Sequence, residues 1–142
     1  MVLVASISIV GLVGTSIHHW MWEQAQLLDY RSTIHELTTT IQSMTSLARA
    51  QHRMCFLRVD ARRNMFQLAK LQAAPQAYET IERTLWLPEG LYVSEAPPAL
   101  IALPTGELSQ AVVVISAPSL NRIFRLTVPP SGVVQCHEEQ TL

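Results

Sequence analysis

The first 22 residues contain no aspartate, glutamate, lysine or arginine, and this charge-free run restricts the fold more than any other feature of the chain. A bilayer core needs roughly 20 helical residues to be crossed, so the run is long enough for one crossing. Trp20 and Trp22 stand at its end, where interfacial aromatic side chains occur in membrane proteins. The run therefore predicts a membrane-spanning helix over residues 1–22.

The side chains of this segment are expected to face lipid or neighbouring helices, and its glycines would let two helices approach closely. They are Val2, Leu3, Val4, Ile7, Ile9, Val10, Gly11, Leu12, Val13, Gly14 and Ile17. A cleaved signal peptide is a weaker interpretation, because the chain lacks a basic start and a small-x-small cleavage site. A buried core helix is weaker still, because a charge-free run of this length is long for one.

Beyond the charge-free run, apolar residues recur at steps of three and four, which is the spacing of one face of a helix. No proline or glycine occurs between Thr15 and Val59, so the helix is predicted to continue to about residue 53. Residues 23–53 would form an amphipathic continuation that packs on a sheet. The predicted packing residues are Leu27, Tyr30, Ile34, Leu37, Ile41, Met44 and Leu47. A coiled-coil seam is the alternative, but the stripe lasts only about three heptads.

From residue 54 onward the pattern changes to short strands separated by turns, which predicts an extracytoplasmic β domain over 54–142. Cys55 to Asp60 alternates, and Met65 to Leu71 runs back as the second strand of a hairpin. The apolar run from Ala111 to Ser116 is the best candidate for a central strand. Six or seven strands are predicted, in an antiparallel sheet or small sandwich. The expected fold class is α+β, with one long helix packed on a small antiparallel β-sheet domain.

The chain carries no motif of a catalytic or metal site. HExxH, CxxC, Gly-rich phosphate loops and the GxSxG elbow are all missing from the sequence. We therefore expect no catalytic residue, no metal, no cofactor and no small-molecule substrate. Arg58, Arg62 and Arg63 form a basic hairpin that could contact nucleic acid, but a solvated hairpin tip is the favoured interpretation. Nucleic acid is thus not expected as a partner.

The two cysteines stand in the first and last predicted strands. In an oxidising compartment Cys55 and Cys136 could form a disulfide if the ends of those strands lie close together. Cys55 is equally well explained as a small buried apolar residue.

The segments quoted next resemble a known family in their order and spacing. They are MVLVASISIVGLVG, SLARAQHRMCFLRVD, FQLAKL, LWLPEGLYV, LIALPTGELSQAVVVIS and NRIFRLTVPPSGVVQ. Together they resemble GspH/FimT-type minor pseudopilins of bacterial type II secretion and type IV pilus systems, over nearly the whole chain. The resemblance implies a pilin-like fold and a role in assembly, without catalysis.

The resemblance also implies a location and partners. The helix would cross the bacterial inner membrane once, contact its lipid, and pack with other pseudopilins or pilins in a filament, with the β domain in the periplasm. Family members begin with a basic leader and a Gly-Phe-Thr-Leu-x-Glu type motif, and Met1 to Val4 resembles the stretch that directly follows its glutamate. We expect either that Met1 is an internal methionine or that the leader was trimmed.

Two other functions remain open. The chain could be a single-pass, membrane-anchored periplasmic binding or adaptor domain unrelated to pilins. It could also be a cleaved, secreted β domain.

Overall fold

The protein consists of one long helix followed by β strands, seen in a computed structural model that describes residues 2–72 and 78–141. For residues 2–15 and Tyr78 only the backbone is described. Helix α1 spans Val2–Gln51, and the chain divides into two compact units, Met1–Ser32 and Thr33–Leu142. The first unit contains only the beginning of α1. The second contains the rest of the helix together with the sheets.

The predicted membrane-spanning segment falls mostly on residues 1–15, whose side chains lie outside the described part of the chain. Among the residues whose side chains are described, no helix is both long enough and apolar enough to cross a membrane.

The predicted apolar stripe of the helix is buried at six of its seven positions. In the first unit these are Leu27 and Tyr30, and in the second they are Ile34, Leu37, Ile41 and Met44. Leu47 is only half-buried, and Ala48 is fully buried instead. The stripe advances by four residues after Met44 rather than by three, which keeps the contact on the inner side of the helix.

Three consecutive threonines lie within this stretch although threonine is a poor helix former. Each hydroxyl donates a hydrogen bond to the carbonyl four residues earlier: Thr38 to Ile34 at 2.9 Å, Thr39 to His35 at 2.9 Å and Thr40 to Glu36 at 2.8 Å. Thr40 is buried, and this bond satisfies its hydroxyl without an external partner.

Helix α1 ends two residues earlier than the sequence predicts, at a residue in the left-handed conformation. His52 has φ 52°, and the amide of Arg53 donates to the carbonyl of Ala48 at 3.1 Å. This is the six-to-one bond of a Schellman motif, which normally has glycine at the left-handed position. The left-handed turn, rather than a proline, directs the chain into the first strand.

The described part of the β region contains eight strands in two four-stranded sheets, and all of the pairings are antiparallel. The strands are β1 Cys55–Asp60, β2 Met65–Gln72, β3 Tyr78–Trp86, β4 Tyr92–Glu95, β5 Ala99–Ala102, β6 Ala111–Ala117, β7 Arg122–Val128 and β8 Gln135–Gln140. Sheet I has the order β3-β2-β1-β5, and sheet II has the order β4-β6-β7-β8. The predicted hairpin and the predicted interior strand at Ala111 are confirmed.

The described part of the β region has eight strands, where the sequence predicts six or seven. Strand β3, at the edge of sheet I, is largely polar and does not alternate regularly. Strand β8 spans Gln135–Gln140 and contains hardly an apolar residue. Its residues alternate poorly because β8 is an edge strand with largely polar side chains. Backbone pairing with β7 holds it in place, together with the ion pair between Arg122 and Glu138 at 3.0 Å.

Two turns of the β region lie against the C-terminal part of the helix. A Cβ atom added at Gly106, which has φ 93°, would overlap the guanidinium of Arg49. At Gly132, which has φ 84°, an added Cβ would lie 3.0 Å from Cγ2 of Thr45. Glycine fits both the positive φ and the close approach. These two contacts place the turn after β5 and the turn after β7 on the helix.

We expect His52→Gly to stabilise the fold by about 0.5–1 kcal/mol, because glycine adopts the left-handed conformation without a Cβ penalty. Urea unfolding followed by circular dichroism measures the change. The matched control is Gln51→Gly, one residue earlier in the helix, which should destabilise by a similar amount. A shift of the same sign for both variants would contradict the assigned helix end.

The contact between Gly132 and the helix gives a second prediction. We expect Gly132→Ala to destabilise the second unit by about 1–3 kcal/mol through backbone strain and contact with Thr45. Thr45→Ala in the same chain should recover part of that loss, because it removes the methyl group nearest to the new Cβ. Strictly additive effects in this double-mutant cycle would show that the turn does not rest on Thr45.

Candidate assembly surface

The first unit exposes a line of large apolar side chains along one side of the helix. Ile17, Trp20, Met21 and Leu28 are 52%, 61%, 59% and 65% exposed, and their spacings of three, four and seven residues place them on one helical face. Trp22 is exposed as well. Apolar side chains exposed as a continuous group mark interaction sites more often than solitary ones do. We call the four residues on the common face the exposed helix stripe.

Polar groups flank this stripe. Nε2 of His19 lies 3.1 Å from Oε1 of Glu23, one helical turn further on. Nε2 of Gln26 donates to the hydroxyl of Tyr30 at 2.6 Å. The exposed His19–Glu23 pair adds little stability, since surface ion pairs contribute about 0–1 kcal/mol.

Sheet I presents a second apolar surface on the face opposite its buried side. Phe56, Ala69, Ile81 and Ile101 lie side by side across all four strands, and Ile81 and Ile101 are exposed. Trp86 is exposed on the same face, opposite Met65. The other face carries the buried side chains of the core, among them Cys55, Leu57, Phe66, Leu68, Leu100 and Ala102.

The edge of sheet I at β5 is closed by the chain itself. The amide of Leu103 donates to the carbonyl of Glu107, and the amide of Ser109 donates to the carbonyl of Ile101, both at 2.8 Å. The hydroxyl of Ser109 accepts from the amide of Ile101 at 2.9 Å. Free backbone edges invite pairing with other chains, so this covered edge disfavours uncontrolled association.

The opposite edge, β3, is irregular and carries ion pairs. The register shifts between Leu68 and Ala69, which leaves Glu82 as an extra residue on β3. Glu82 pairs with Lys70 at 2.8 Å, and Arg83 pairs with Glu36 of the helix. The Arg83–Glu36 pair connects the edge strand to the helix within the second unit.

The basic hairpin predicted from the sequence is largely neutralised within the chain. Arg58 pairs with Glu79 and lies over the ring of Phe56, 5.2 Å from its centroid. Arg63 lies 3.8 Å from Asp60. Arg62 is exposed on the loop between β1 and β2. The three arginines therefore do not act as three independent cations.

The structure does not join the two cysteines of the candidate disulfide, which the sequence left open. Cys55 is buried in β1 of sheet I and Cys136 is exposed in β8 of sheet II, both as free thiols. Burial and the nearby Glu82 raise the pKa of Cys55, although Lys70 opposes the shift. Partial burial of the sulfur and the nearby Glu138 raise the pKa of Cys136. Neither thiol is therefore activated as a nucleophile. Within the described residues, no three potential ligand side chains converge on a metal position.

Solved structures that are similar to this chain include a minor pseudopilin and a minor pilin. The minor pseudopilin EpsH from the type 2 secretion system of Vibrio cholerae matches with a TM-score of 0.63 at 16% identity, covering 76% of this chain and 95% of that one. The type IV minor pilin FimU of Pseudomonas aeruginosa matches with a TM-score of 0.62 at 16% identity, covering 82% and 96%. The sequence itself matches no family model and no curated protein.

These likenesses identify the fold. The α+β class with a long N-terminal helix and small antiparallel sheets is confirmed, and so is the resemblance to minor pseudopilins at the level of the fold. The exposed faces of sheet I were not predicted, because they follow from pairing between distant strands.

The two thiols give a direct chemical test. Under non-reducing conditions at pH 8 we expect one thiol per chain, Cys136, to react with a disulfide reagent such as DTNB, and two after denaturation. The rate at which Cys136 reacts should keep rising at pH values above the usual pKa of a cysteine thiol. Only the thiolate attacks the reagent, and the pKa of Cys136 is raised. If no thiol reacts even after denaturation, and both react once a reductant is added, Cys55 and Cys136 form a disulfide.

Proposed function

We propose that the chain is a minor pseudopilin, a structural subunit of a type II secretion pseudopilus or of a type IV pilus-like filament, and not an enzyme. The observation that carries this proposal is the combination of the fold shared with EpsH and FimU and a helix that exposes its own apolar stripe. A filament subunit must make head-to-tail contacts with its neighbours, and a long helix with an exposed apolar face suits that need.

Residues 1–22 are proposed to hold the subunit in the bacterial inner membrane before assembly, in a single pass with the C-terminal domain in the periplasm. The support is the charge-free run together with the exposed Trp20 and Trp22 at its end. The anchor residues are the apolar and glycine positions from Val2 to Ile17 identified in the sequence. Inner-membrane lipid is their first partner, and the helices of other pilins or pseudopilins replace it on assembly.

The exposed helix stripe is proposed to contact neighbouring subunits in the filament. Its first three residues lie at the end of the proposed anchor, and Leu28 lies beyond it. Burying one side chain of this size contributes roughly 1.5–3 kcal/mol, so four of them would add substantially to assembly. Side chains of this size gain little from remaining in water once the subunit has left the lipid. Their exposure in the single subunit is accounted for if another helix covers them in the filament.

Leu28→Asp tests this role in the bacterium that encodes the chain. Because Leu28 is 65% exposed, we expect the unfolding free energy to change by less than about 0.5 kcal/mol. Photo-crosslinks to other pilin-like subunits and co-isolation with the filament should nevertheless fall severalfold, because a carboxylate is poorly tolerated in an apolar contact.

Ser46→Asp is the matched control, since Ser46 is exposed on the same helix but lies in the second unit, eighteen residues after Leu28. It should assemble as the unmodified chain does. The proposal fails if Leu28→Asp assembles normally. A chain that stays membrane-bound yet never crosslinks to a pilin-like subunit would favour the alternative of an anchored periplasmic adaptor domain.

A further inference from the structure

A groove lies where the loop between β1 and β2 meets the segment between β4 and β5. Its larger part has a volume of about 600 Å³ and is lined by residues that include Arg58, Ala61, Arg62 and Pro98. A smaller part of about 360 Å³ shares Ala61 and Pro98 and extends to Glu95. The two parts adjoin, and their volumes are in the range of binding sites for small ligands and short peptides.

Both walls of the groove are fixed by hydrogen bonds. The amide of Val59 donates to the carbonyl of Pro98 at 3.0 Å, which attaches one wall to the other. On the loop side, the amide of Arg63 donates to the carboxylate of Asp60 at 3.1 Å. Pro97 and Pro98 also restrict the backbone of the segment between β4 and β5. A ligand would therefore meet a groove that already has its shape, which lowers the entropic cost of binding.

Some charged side chains of the groove are already paired within the chain, and one is open to a ligand. Arg58 is engaged by Glu79 and Phe56, and the Asp60 carboxylate is engaged by Arg63. Arg62 lines the groove and forms no ion pair with any residue that the structure describes. An available guanidinium thus lies beside an apolar surface formed by Val59, Ala61 and Pro98.

We propose that this groove binds an extended, acidic peptide segment of a partner protein, with Arg62 holding a carboxylate of that segment. A guanidinium matches a carboxylate in a two-pronged, charge-assisted hydrogen bond. The apolar surface accommodates a neighbouring aliphatic side chain of the peptide. Both the site and the class of its ligand are inferred from the groove alone, and neither depends on the proposed role in a filament.

A nucleic acid fits these observations less well. Its binding is driven by several phosphate contacts, each made by an available cation. Here Arg58 and Arg63 are paired within the chain, which leaves Arg62 as the one available arginine beside the groove among the described residues. One available cation beside an apolar surface suits one carboxylate rather than a phosphate backbone.

Fluorescence anisotropy with the full chain in detergent micelles tests the proposal. The probe is a fluorescein-labelled peptide, Gly-Glu-Val-Glu-Gly, and its control replaces both glutamates with glutamine. We expect saturable binding of the glutamate peptide and about tenfold weaker binding of the glutamine peptide, because a charge-assisted hydrogen bond is lost. Equal affinity for the two peptides, or no saturable binding of the acidic one, would overturn the proposal.

Variants of the chain assign the contact to its residue. Arg62→Gln should weaken binding about tenfold. Arg125→Gln should leave it within about twofold, because Arg125 is exposed on β7 of sheet II and lines neither part of the groove. Ala61→Trp fills the groove without changing a charge and should abolish binding. Far-UV circular dichroism verifies that each variant is folded. Unchanged affinity in Arg62→Gln or in Ala61→Trp would contradict the assignment.

Competition separates the two classes of macromolecule. A twelve-nucleotide single-stranded thymidine oligomer should displace the peptide only weakly. If it binds more tightly than the peptide and loses affinity in Arg62→Gln, the groove is a nucleic-acid site and the proposal is wrong. Leu28→Asp should bind the acidic peptide like the unmodified chain, so loss of assembly and loss of groove binding remain distinguishable.

Discussion

The structure depends on one buried contact, the apolar side of helix α1 within the second unit. Ile34, Leu37, Ile41, Met44 and Ala48 are all buried there. Small sheets of short strands bury too little surface to be stable alone, and each large helical side chain that is buried contributes roughly 1.5–3 kcal/mol. The turns at Gly106 and Gly132 and the Arg83–Glu36 pair attach further parts of the β region to the same helix. The helix is thus the element that holds the unit together.

The same helix has a different property in the first unit. There it exposes Ile17, Trp20, Met21 and Leu28, side chains that a single soluble subunit would not gain from presenting to water. This contrast is what the proposed function explains. The second unit uses the helix as internal cover for its sheets, whereas under the proposed function the first unit presents it to lipid or to another subunit. The covered edge at β5 and the irregular edge at β3 fit such controlled association, because they limit pairing through the sheet.

The sequence predicts what depends on local periodicity. Apolar residues with a period of 3.6 predict the helix, and the alternation from Cys55 predicts the first hairpin. The apolar run at Ala111 predicts an interior strand. The end of the helix was less predictable, because His52 adopts a conformation normally left to glycine. Leu47 was expected in the buried stripe, but it is half-buried and Ala48 is buried instead, because a step of four residues from Met44 stays closer to the inner side of the helix than a step of three.

Features that depend on distant pairing could not be read from the sequence. The extra residue Glu82 breaks the period of two in β3, and β8 has hardly an apolar residue to mark it. The separation of Cys55 and Cys136 into different sheets likewise follows from strand order and not from spacing. The groove beside Arg62 exists because two loops far apart in sequence meet, so no local motif indicates it.

A photo-crosslinking scan along α1 in native membranes tests the central claim most directly. A photoreactive amino acid would be placed in turn at positions 17, 20, 21 and 28 of the exposed helix stripe and at the buried positions 34 and 41. The account predicts crosslinks to other pilin-like subunits from the four stripe positions and none from the two buried ones. Intermolecular crosslinks that are equally frequent at all six positions, or absent from the stripe, would contradict it.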